Sequence, residues 1–298
     1  MKELAIVLPY IRDDYVKRCI ETLYKYTNNF YLIGVDQTVN GYYDKRFHLY
    51  LRPFRNLGFA KAANEGIIHA KRWGIPYIGV LNDDTEFMHK DWWQGVKDEF
   101  ATDEKILAVC PESPRVPLWG YGRPHGEYID IIEYKEEYTE EDWQYLCAGD
   151  YEDLKERVQD IPEAFPLTKR GVIDAIAMWF PIFRNEFFDK VGYFDERFYP
   201  GGGEDYDLNA RGYRLGYRLV STMRAWIWHW WGQSKDKAAE LPKELNMFDT
   251  ELRWNNLDEL WPRELNNGQG MDPWGHHTDV NGKRQPLNRV AEVHIKEL

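Results

Sequence analysis

The residues best suited to chemistry follow an apolar run at positions 77–81, which has the composition of a buried strand. They are Asn82, Asp83 and Asp84. Carboxylates crowded at the end of a buried strand repel one another unless water or a cation relieves the repulsion. Mg²⁺ and Mn²⁺ suit such hard oxygen ligands, and Mg²⁺ is commonly held by one or two carboxylates together with substrate phosphates. The alternative is a capped turn, which two adjacent aspartates on their own would favour.

A second acidic pair, Glu204 and Asp205, follows three consecutive glycines at positions 201–203. A hydroxyl that attacks a carbon must lose its proton, and a positioned carboxylate can accept it. The alternative is that both acids simply begin a helix, because the helix dipole favours negative charge at its N-terminus. The glycines weaken this alternative, since they are typical of a loop that approaches a ligand closely or moves.

The segments around these residues alternate between strand and helix patterns over the first 110 residues. Apolar runs predict strands at residues 4–8, 30–35, 48–51, 77–81 and 106–109. Helical spacing predicts helices that are capped by Asp13 or Asp14, that begin at Phe59, and that cover about residues 90–101. The alternation predicts an α/β fold with a mostly parallel sheet flanked by helices. Ligands bind such sheets beyond the carboxyl ends of the strands, where Asp36 and residues 56–60 also fall.

Two regions break this pattern. Residues 111–171 carry several prolines and glycines and then an acidic stretch, which predicts an irregular insertion. Regular structure resumes over residues 172–180, and residues 204–215 predict a further helix. After Ser234 the chain is polar, rich in asparagine and without periodicity. We therefore expect one large domain over residues 1–234 and a C-terminal extension over 235–298 that wraps the domain or covers the site.

The composition restricts the classes of partner. A net charge of −12 argues against nucleic acid as the main partner. The cysteines, Cys19, Cys110 and Cys147, lack the spacing of a disulfide framework or a zinc site. No apolar run is long enough for a membrane span or a signal peptide, so we expect a soluble, cytoplasmic protein. The aromatic content of 16% permits a carbohydrate ligand, because Trp and Tyr rings suit the C–H faces of sugars.

Several segments resemble inverting GT-A glycosyltransferases of family 2, particularly the rhamnosyltransferase-like branch. Residues 56–66 (NLGFAKAANEG) are similar to the family's N-x-G-F-[AG]-x-[AG]-x-N-x-G run, and residues 81–85 (LNDDT) to its variant of the DxD motif. Residues 192–198 (GYFDERF) and 204–208 (EDYDL) are similar to its G-x-F-D-E-x-F and E-D-x-D-L segments. The asparagine at the first DxD position is a departure that this branch tolerates.

The resemblance implies a role for each matching residue. Asp205 is implied to be the general base for the acceptor hydroxyl, with Glu204 assisting acceptor binding or orientation. Asp84 is implied to bind Mn²⁺ or Mg²⁺, and His229, which precedes a Gly-x-Ser, to complete the metal shell or contact the diphosphate. The residues expected to bind the donor are Pro9, Asp36, Asn56, Gly58, Asn64, Asn82 and Asp83. Candidate acceptor contacts are Trp179, Gly202 and Gly203, although Trp179 fits a core position equally well.

The predicted function is metal-dependent transfer of a sugar, with inversion, from a nucleotide diphosphate donor to a saccharide or another hydroxyl-bearing acceptor. UDP or dTDP is favoured, because an acidic residue such as Asp36 can accept the N–H of uracil or thymine. Residues 1–110 are expected to bind the donor, and 172–234 to form the acceptor and catalytic half. One alternative is a non-catalytic nucleotide-sugar or carbohydrate-binding protein on the same fold. Another is a sugar-phosphate nucleotidyltransferase, whose usual Gly-rich basic loop is lacking at residues 9–14.

Overall fold

The structure is a computed structural model that describes residues 2–113, 172–173, 179–196, 198–201, 204–230 and 291–295. In this part of the chain the helices are α1 (Asp13–Tyr26), α2 (Phe59–Arg72), α3 (Trp92–Phe100), α4 (Phe187–Lys190) and α5 (Glu204–Arg214). The strands are β1 (Leu4–Tyr10), β2 (Phe30–Asp36), β3 (Leu49–Pro53), β4 (Tyr77–Val80), β5 (Thr85–Phe87), β6 (Ile106–Glu112), β7 (Val172–Ile173), β8 (Ile182–Arg184), β9 (Arg218–His229) and β10 (Ala291–Ile295).

The strands form one mixed sheet in the order β10-β3-β2-β1-β4-β8-β6-β9-β5, with β7 also paired to β9. β3, β2, β1 and β4 are parallel neighbours, and β6 is parallel to β9. β8 lies antiparallel between β4 and β6. β5 and β7 run antiparallel to β9, and β10 runs antiparallel to β3. The predicted α/β class, a sheet flanked by helices, is confirmed. The sheet is mixed rather than mostly parallel, since four strand pairs in the described ranges are parallel and five are antiparallel.

β1 is the strand at which the strand order reverses. The chain first adds β2 on one side of β1, with Leu4 paired to Phe30, and later adds β4 on the other side, with Leu4 paired to Tyr77. The segments that leave the carboxyl ends of these strands therefore diverge and leave a crevice, which is where open α/β sheets bind ligands. Tyr10 and Asp36 lie side by side at this edge.

The helices pack apolar faces against the sheet. α1 buries residues at helical spacing, namely Val16, Cys19, Ile20 and Leu23. α2 lies close to β1 because Gly66 has no side chain, and a Cβ there would overlap Val7. The prediction that Asp13 or Asp14 caps α1 is wrong, because Arg12 occupies the N-cap position and makes no side-chain cap. The two acids lie in the first turn instead, where the helix dipole favours their charge.

The elements differ from the prediction mainly at β6, which is longer than predicted, and at β9, which was not predicted. β6 continues to Glu112, past the boundary predicted at residue 110, because it pairs with β9 along its length. The 12-residue strand β9 has no counterpart in the sequence-based prediction. Residues 114–171 and most of the C-terminal extension lie outside the described residues, but β10 pairs with β3 at one side of the sheet. No helix in the described ranges has the length and apolarity needed to cross a bilayer.

The buried carboxyl of Glu112 predicts an unusual pH dependence of stability. Glu112 is 2% exposed, and this burial raises its pKa well above the usual range. Above about pH 4.5 the unfolded chain therefore releases a proton that the folded chain retains, so stability falls as the pH rises. We expect Glu112→Gln, which is neutral and of similar shape, to stabilise the protein more at about pH 8 than at about pH 5.

The measurement is the free energy of unfolding from denaturant titrations of parent and variant at both pH values. Glu186→Gln is the control, because that side chain is 49% exposed. A stability difference for Glu112→Gln that does not change with pH would contradict the assignment of a proton to the buried carboxyl.

Candidate active site

A short strand pairing brings Asp84 and His229 together. β5 pairs antiparallel with the end of β9, so that Thr85 lies opposite His229. The Trp230 N–H donates to the Asp84 carbonyl at 2.9 Å, which continues the ladder by one step. Asp84 and His229 are 145 residues apart in the sequence, and this pairing makes them neighbours.

The spacing of these two side chains fits a pair of metal ligands. His229 Nε2 lies 3.0 Å from Asp84 Oδ1, and both side chains are buried. Two ligands on adjacent corners of an octahedral cation, with bonds of about 2.1 Å, are about 3.0 Å apart. His229 can donate Nε2–H to the carboxylate without a cation, or present the Nε2 lone pair to one when its proton is on Nδ1. No cluster of three or more His, Cys, Asp or Glu occurs in the described ranges, so phosphate oxygens and water would supply the other ligands.

Ser113 holds the backbone of His229, and Trp179 packs on its ring. The backbone N–H of His229 donates to Ser113 Oγ at 3.1 Å. The imidazole stacks on the Trp179 ring, with centroids 5.5 Å apart and planes inclined by 17°. Trp179 is only 3% exposed, so it covers the imidazole and offers no open platform to an acceptor. Gly202 and Gly203, the other predicted acceptor contacts, lie outside the described residues.

Asn82 adds an oxygen to this group. Its N–H donates to the Trp179 carbonyl at 2.9 Å, and its own carbonyl accepts the Thr85 hydroxyl at 2.8 Å. Its Nδ2 lies 3.5 Å from His229 Nε2. The side-chain Oδ1 is buried and has no hydrogen-bond partner in the described ranges. A buried acceptor without a partner is unfavourable, so this oxygen marks a place that a ligand group or a water would complete.

Asp83 and Pro9 lie at the crevice, and their contacts are with the backbone of the protein. Asp83 Oδ2 accepts the N–H groups of Ile11 and Arg12, at 3.0 and 3.1 Å. It thereby fixes the turn from β1 into α1 and satisfies N–H groups near a helix start that has no side-chain cap. Pro9 is buried inside β1, paired with Val35. Donor contact by Asp83 or Pro9 stays a prediction.

The Asp36 carboxylate already holds a full set of donors. Its Oδ1 accepts the Thr38 N–H and hydroxyl at 2.8 and 2.7 Å. Its Oδ2 accepts the Tyr42 N–H at 2.8 Å, the Tyr50 hydroxyl at 2.6 Å and Arg52 at 3.3 Å. Burial, together with the bond to Asp36, raises the pKa of Tyr50 to about 12, so its hydroxyl stays a donor at neutral pH. These contacts close the loop that follows β2.

Asn56 and Gly58 shape the turn into α2. Asn56 Oδ1 accepts the Gly58 N–H at 2.8 Å. Gly58 has a φ of 75°, and a Cβ there would lie 2.8 Å from Tyr199 and 2.9 Å from the Pro200 carbonyl oxygen. Both the backbone conformation and the space therefore require glycine.

Asn64 binds the backbone of Phe194, in the segment before α5. It is 2% exposed, its Nδ2 donates to the Phe194 carbonyl at 2.9 Å, and its Oδ1 accepts the Phe194 N–H at 3.1 Å. Nδ2 also lies 3.2 Å from Glu196 Oε1. Both ends of its amide are thus engaged by the segment around Phe194, and donor contact by Asn64 stays a prediction from the sequence motif.

Glu204 and Asp205 begin α5, as predicted. Glu204 is buried and Asp205 is half-buried. α5 lies close against β9, where a Cβ on Gly212 would overlap Leu219. Since β9 ends at His229, one strand supports both the helix that carries Asp205 and the histidine of the candidate metal pair.

The site also contains Ser113, Glu86 and Arg18, which the sequence does not predict. Glu86 is buried, accepts Trp230 Nε1–H at 2.8 Å and forms an ion pair with Arg18. The Arg18 guanidinium also lies 5.0 Å from the Trp230 ring. These contacts neutralise a carboxylate close to Asp84. Ser113 gives no signal in the sequence, because its contact with His229 depends on the pairing of β6 with β9.

Comparison with known proteins supports the fold and gives a remote sequence relative. No protein-family model matches the chain. A "Galactofuranosyl glycosyltransferase" of Leishmania donovani is 24% identical over 196 residues, which are 59% of this chain and 41% of the relative. The chain thus spans about two fifths of the length of that curated relative.

Two solved structures share the architecture. GalNAc-T7 with UDP, GalNAc and Mn²⁺ superposes with a TM-score of 0.56 at 13% identity, over 91% of this chain and 52% of that one. Mannosyltransferase PcManGT from Pyrobaculum calidifontis, in complex with GDP-Man and Mn²⁺, gives a TM-score of 0.50 at 12% identity, over 91% and 66%. At such low identity the likeness shows the fold alone, and that fold is the GT-A type of glycosyltransferases.

The ligand pair is tested by removing one carboxylate. We expect Mn²⁺ with a nucleoside diphosphate to raise the melting temperature of the parent but not of Asp84→Asn, because a neutral amide binds a hard cation poorly. Asp189→Asn is the matched control, since Asp189 is 62% exposed and lies on α4. An undiminished Mn²⁺-dependent shift in Asp84→Asn would exclude Asp84 as a ligand.

Proposed function

We propose that this protein is a metal-dependent glycosyltransferase that moves a sugar from a nucleotide diphosphate donor to an acceptor hydroxyl. The observation that carries the proposal is the 3.0 Å separation of Asp84 Oδ1 and His229 Nε2 beside the unpaired oxygen of Asn82. The name of the Leishmania donovani relative supports the same chemistry. So do the nucleotides and Mn²⁺ bound by two proteins of this fold.

Asp84 and His229 would hold Mn²⁺ or Mg²⁺, with Asn82 next to them. A bound cation would neutralise the charge that develops on the departing diphosphate. Trp179 stacks on the imidazole and Ser113 holds the His229 backbone, so that Nε2 faces the carboxylate before any ligand arrives. Such preorganisation matters because no part of the site must reorganise as the charge develops.

Asp205 is the proposed general base. The acceptor oxygen forms a bond to the anomeric carbon, the bond from that carbon to the diphosphate oxygen breaks, and the hydroxyl proton passes to the Asp205 carboxylate. A single displacement of this kind inverts the anomeric centre. The half-buried position of Asp205 in the first turn of α5 suits a group that must meet an incoming acceptor. Glu204 would orient the acceptor.

The proposed donor carries uracil or thymine. Their ring N–H would bind Asp36 in place of Arg52, whose 3.3 Å contact is the longest to that carboxylate and whose side chain is 35% exposed. The runs at residues 56–66 and 204–208 support a place among the inverting family 2 enzymes, in the rhamnosyltransferase-like branch.

The donor class is tested by thermal shift and calorimetry. We expect one UDP- or dTDP-sugar to raise the melting temperature in the presence of Mn²⁺ or Mg²⁺, and a GDP-sugar to have less effect. A donor at about a hundred times its Kd stabilises the folded state by about 2.7 kcal/mol. No shift with any of these donors, with or without metal, would contradict the proposal.

The general base is tested by Asp205→Asn. We expect the sugar-transfer rate to fall by about 10²–10⁴-fold, because the proton of the acceptor loses its base. Donor affinity should stay unchanged in calorimetry. Glu186→Gln, a substitution on a half-exposed side chain, is the control. Transfer by Asp205→Asn at the parental rate would exclude the mechanism, and donor binding without any transfer by the parent would favour a non-catalytic binding protein.

A further inference from the structure

We propose that Asn64 is a positioning residue that fixes the helix carrying Asp205, and that it does not contact the donor. The connection runs through residues 191–196, which we call the strap. The strap contacts α2 on one side and α5 on the other. The inference rests on the proposed function, since it assigns Asn64 to the placement of the general base.

The contacts of α2 with the strap are polar and largely buried. Asn64 makes two hydrogen bonds to the backbone of Phe194, one as donor and one as acceptor. This pairing fixes the strap as a strand neighbour would, because it uses both the N–H and the carbonyl of one residue. Lys61, one turn earlier on α2, forms a 2.9 Å ion pair with Glu196 Oε2. Asn64 Nδ2 lies 3.2 Å from the other oxygen of the same carboxylate.

The start of α2 extends this contact towards α5. The Phe59 ring packs edge-on against Phe194, with centroids 5.8 Å apart. The Phe59 N–H donates to the Pro200 carbonyl at 2.8 Å, and Gly58 leaves room for Tyr199 and Pro200. The first turns of α2 therefore dock on the chain that leads to Asp205. The Phe59 N–H lies at the N-terminus of α2, where free N–H groups can bind an anion, but it is already bonded to the Pro200 carbonyl.

α5 binds the strap from the other side. Arg211 donates to the Val191 carbonyl at 3.0 Å and to the Tyr193 carbonyl at 2.7 Å. Asp207 Oδ2 accepts Nε–H and Nη2–H of the same guanidinium at 3.0 and 2.7 Å. The side chains of Asp207 and Arg211 are 5% and 6% exposed, so water competes little for these bonds. Asp205 lies within two turns of Arg211 on the same helix.

The strap thus joins a helix of the donor half to the helix of the proposed base. Phe194 is held by Asn64 and its neighbour Tyr193 by Arg211, so a shift of one helix must strain bonds to the other. Because all these groups are buried and paired, a displaced arrangement would leave unsatisfied polar atoms. Both N–H groups of the Asn64 amide are used within the protein, and its oxygen already accepts the Phe194 N–H.

The first experiment compares Asn64→Ala with Asn185→Ala. Asn185 also binds a backbone carbonyl, that of Ile75 at 2.7 Å, but none of its hydrogen bonds reaches the strap. We expect Asn64→Ala to lower kcat for sugar transfer by about 10²-fold, because a general base displaced by about 1 Å loses its alignment. The Kd of the UDP- or dTDP-sugar with Mn²⁺, from calorimetry, should change by less than about twofold. Asn185→Ala should change neither quantity.

Two results would overturn the proposal. A weaker donor Kd with unchanged kcat would make Asn64 a donor ligand, as the sequence motif implies. A lower melting temperature with unchanged kcat and Kd would make its role merely structural. Should Asn64→Ala fail to fold, Lys61→Met removes only the 2.9 Å ion pair and keeps the apolar stem. We expect it to lower kcat in the same direction by a smaller factor, again at unchanged Kd.

A second measurement does not depend on sugar transfer. Amide hydrogen exchange of the full chain should become faster over Glu204–Arg214 in Asn64→Ala and in Lys61→Met, but not in Asn185→Ala. If the parent transfers no sugar, the proposed function fails, while exchange still decides whether the strap fixes α5. Unchanged exchange in both strap variants would overturn the inference even if the enzyme is active.

Discussion

The pairing of β5 with the end of β9 is the interaction on which the candidate site depends. It sets Thr85 opposite His229 and so places Asp84 beside the imidazole. β9 also pairs with β6, which brings Ser113 to the His229 N–H. Strand side chains alternate between faces, so a slip of one residue in β9 would turn His229 away. An irregularity between Thr222 and Trp226 shifts the register of β9 just before this pairing.

The acids near the crevice have different environments, although they lie close together in the sequence. Asp83 is held by backbone N–H groups, and Glu86 by Arg18 and an indole N–H. Asp84 is left with a histidine. In a chain with a net charge of −12, such partners relieve the repulsion that adjacent carboxylates otherwise exert. The pair of Asp84 and His229 is then the one suited to a cation.

Much of the fold is predictable from local patterns. The wholly apolar run of β1 predicts a strand that is covered on both faces. The helical spacing of α1 predicts a helix that packs one face against the sheet, as in an α/β fold. Strands β5 and β9 are not predictable in this way. β5 has three residues, too few for a period to be visible, and β9 carries the polar residues Ser221 and Thr222, which are buried only because neighbouring elements cover them.

The sequence by itself determined the α/β class, the position of Asn82, Asp83 and Asp84 at a strand end, and the acids that begin α5. These features follow from composition and spacing within short segments. Only the tertiary structure decided that Asp84 meets His229 and that Asp83 binds the β1–α1 turn. It also decided that Asn64 binds Phe194, 130 residues away. The physical reason is that hydrogen-bond partners distant in the chain are chosen by strand register and helix packing, which leave no periodic trace in the sequence.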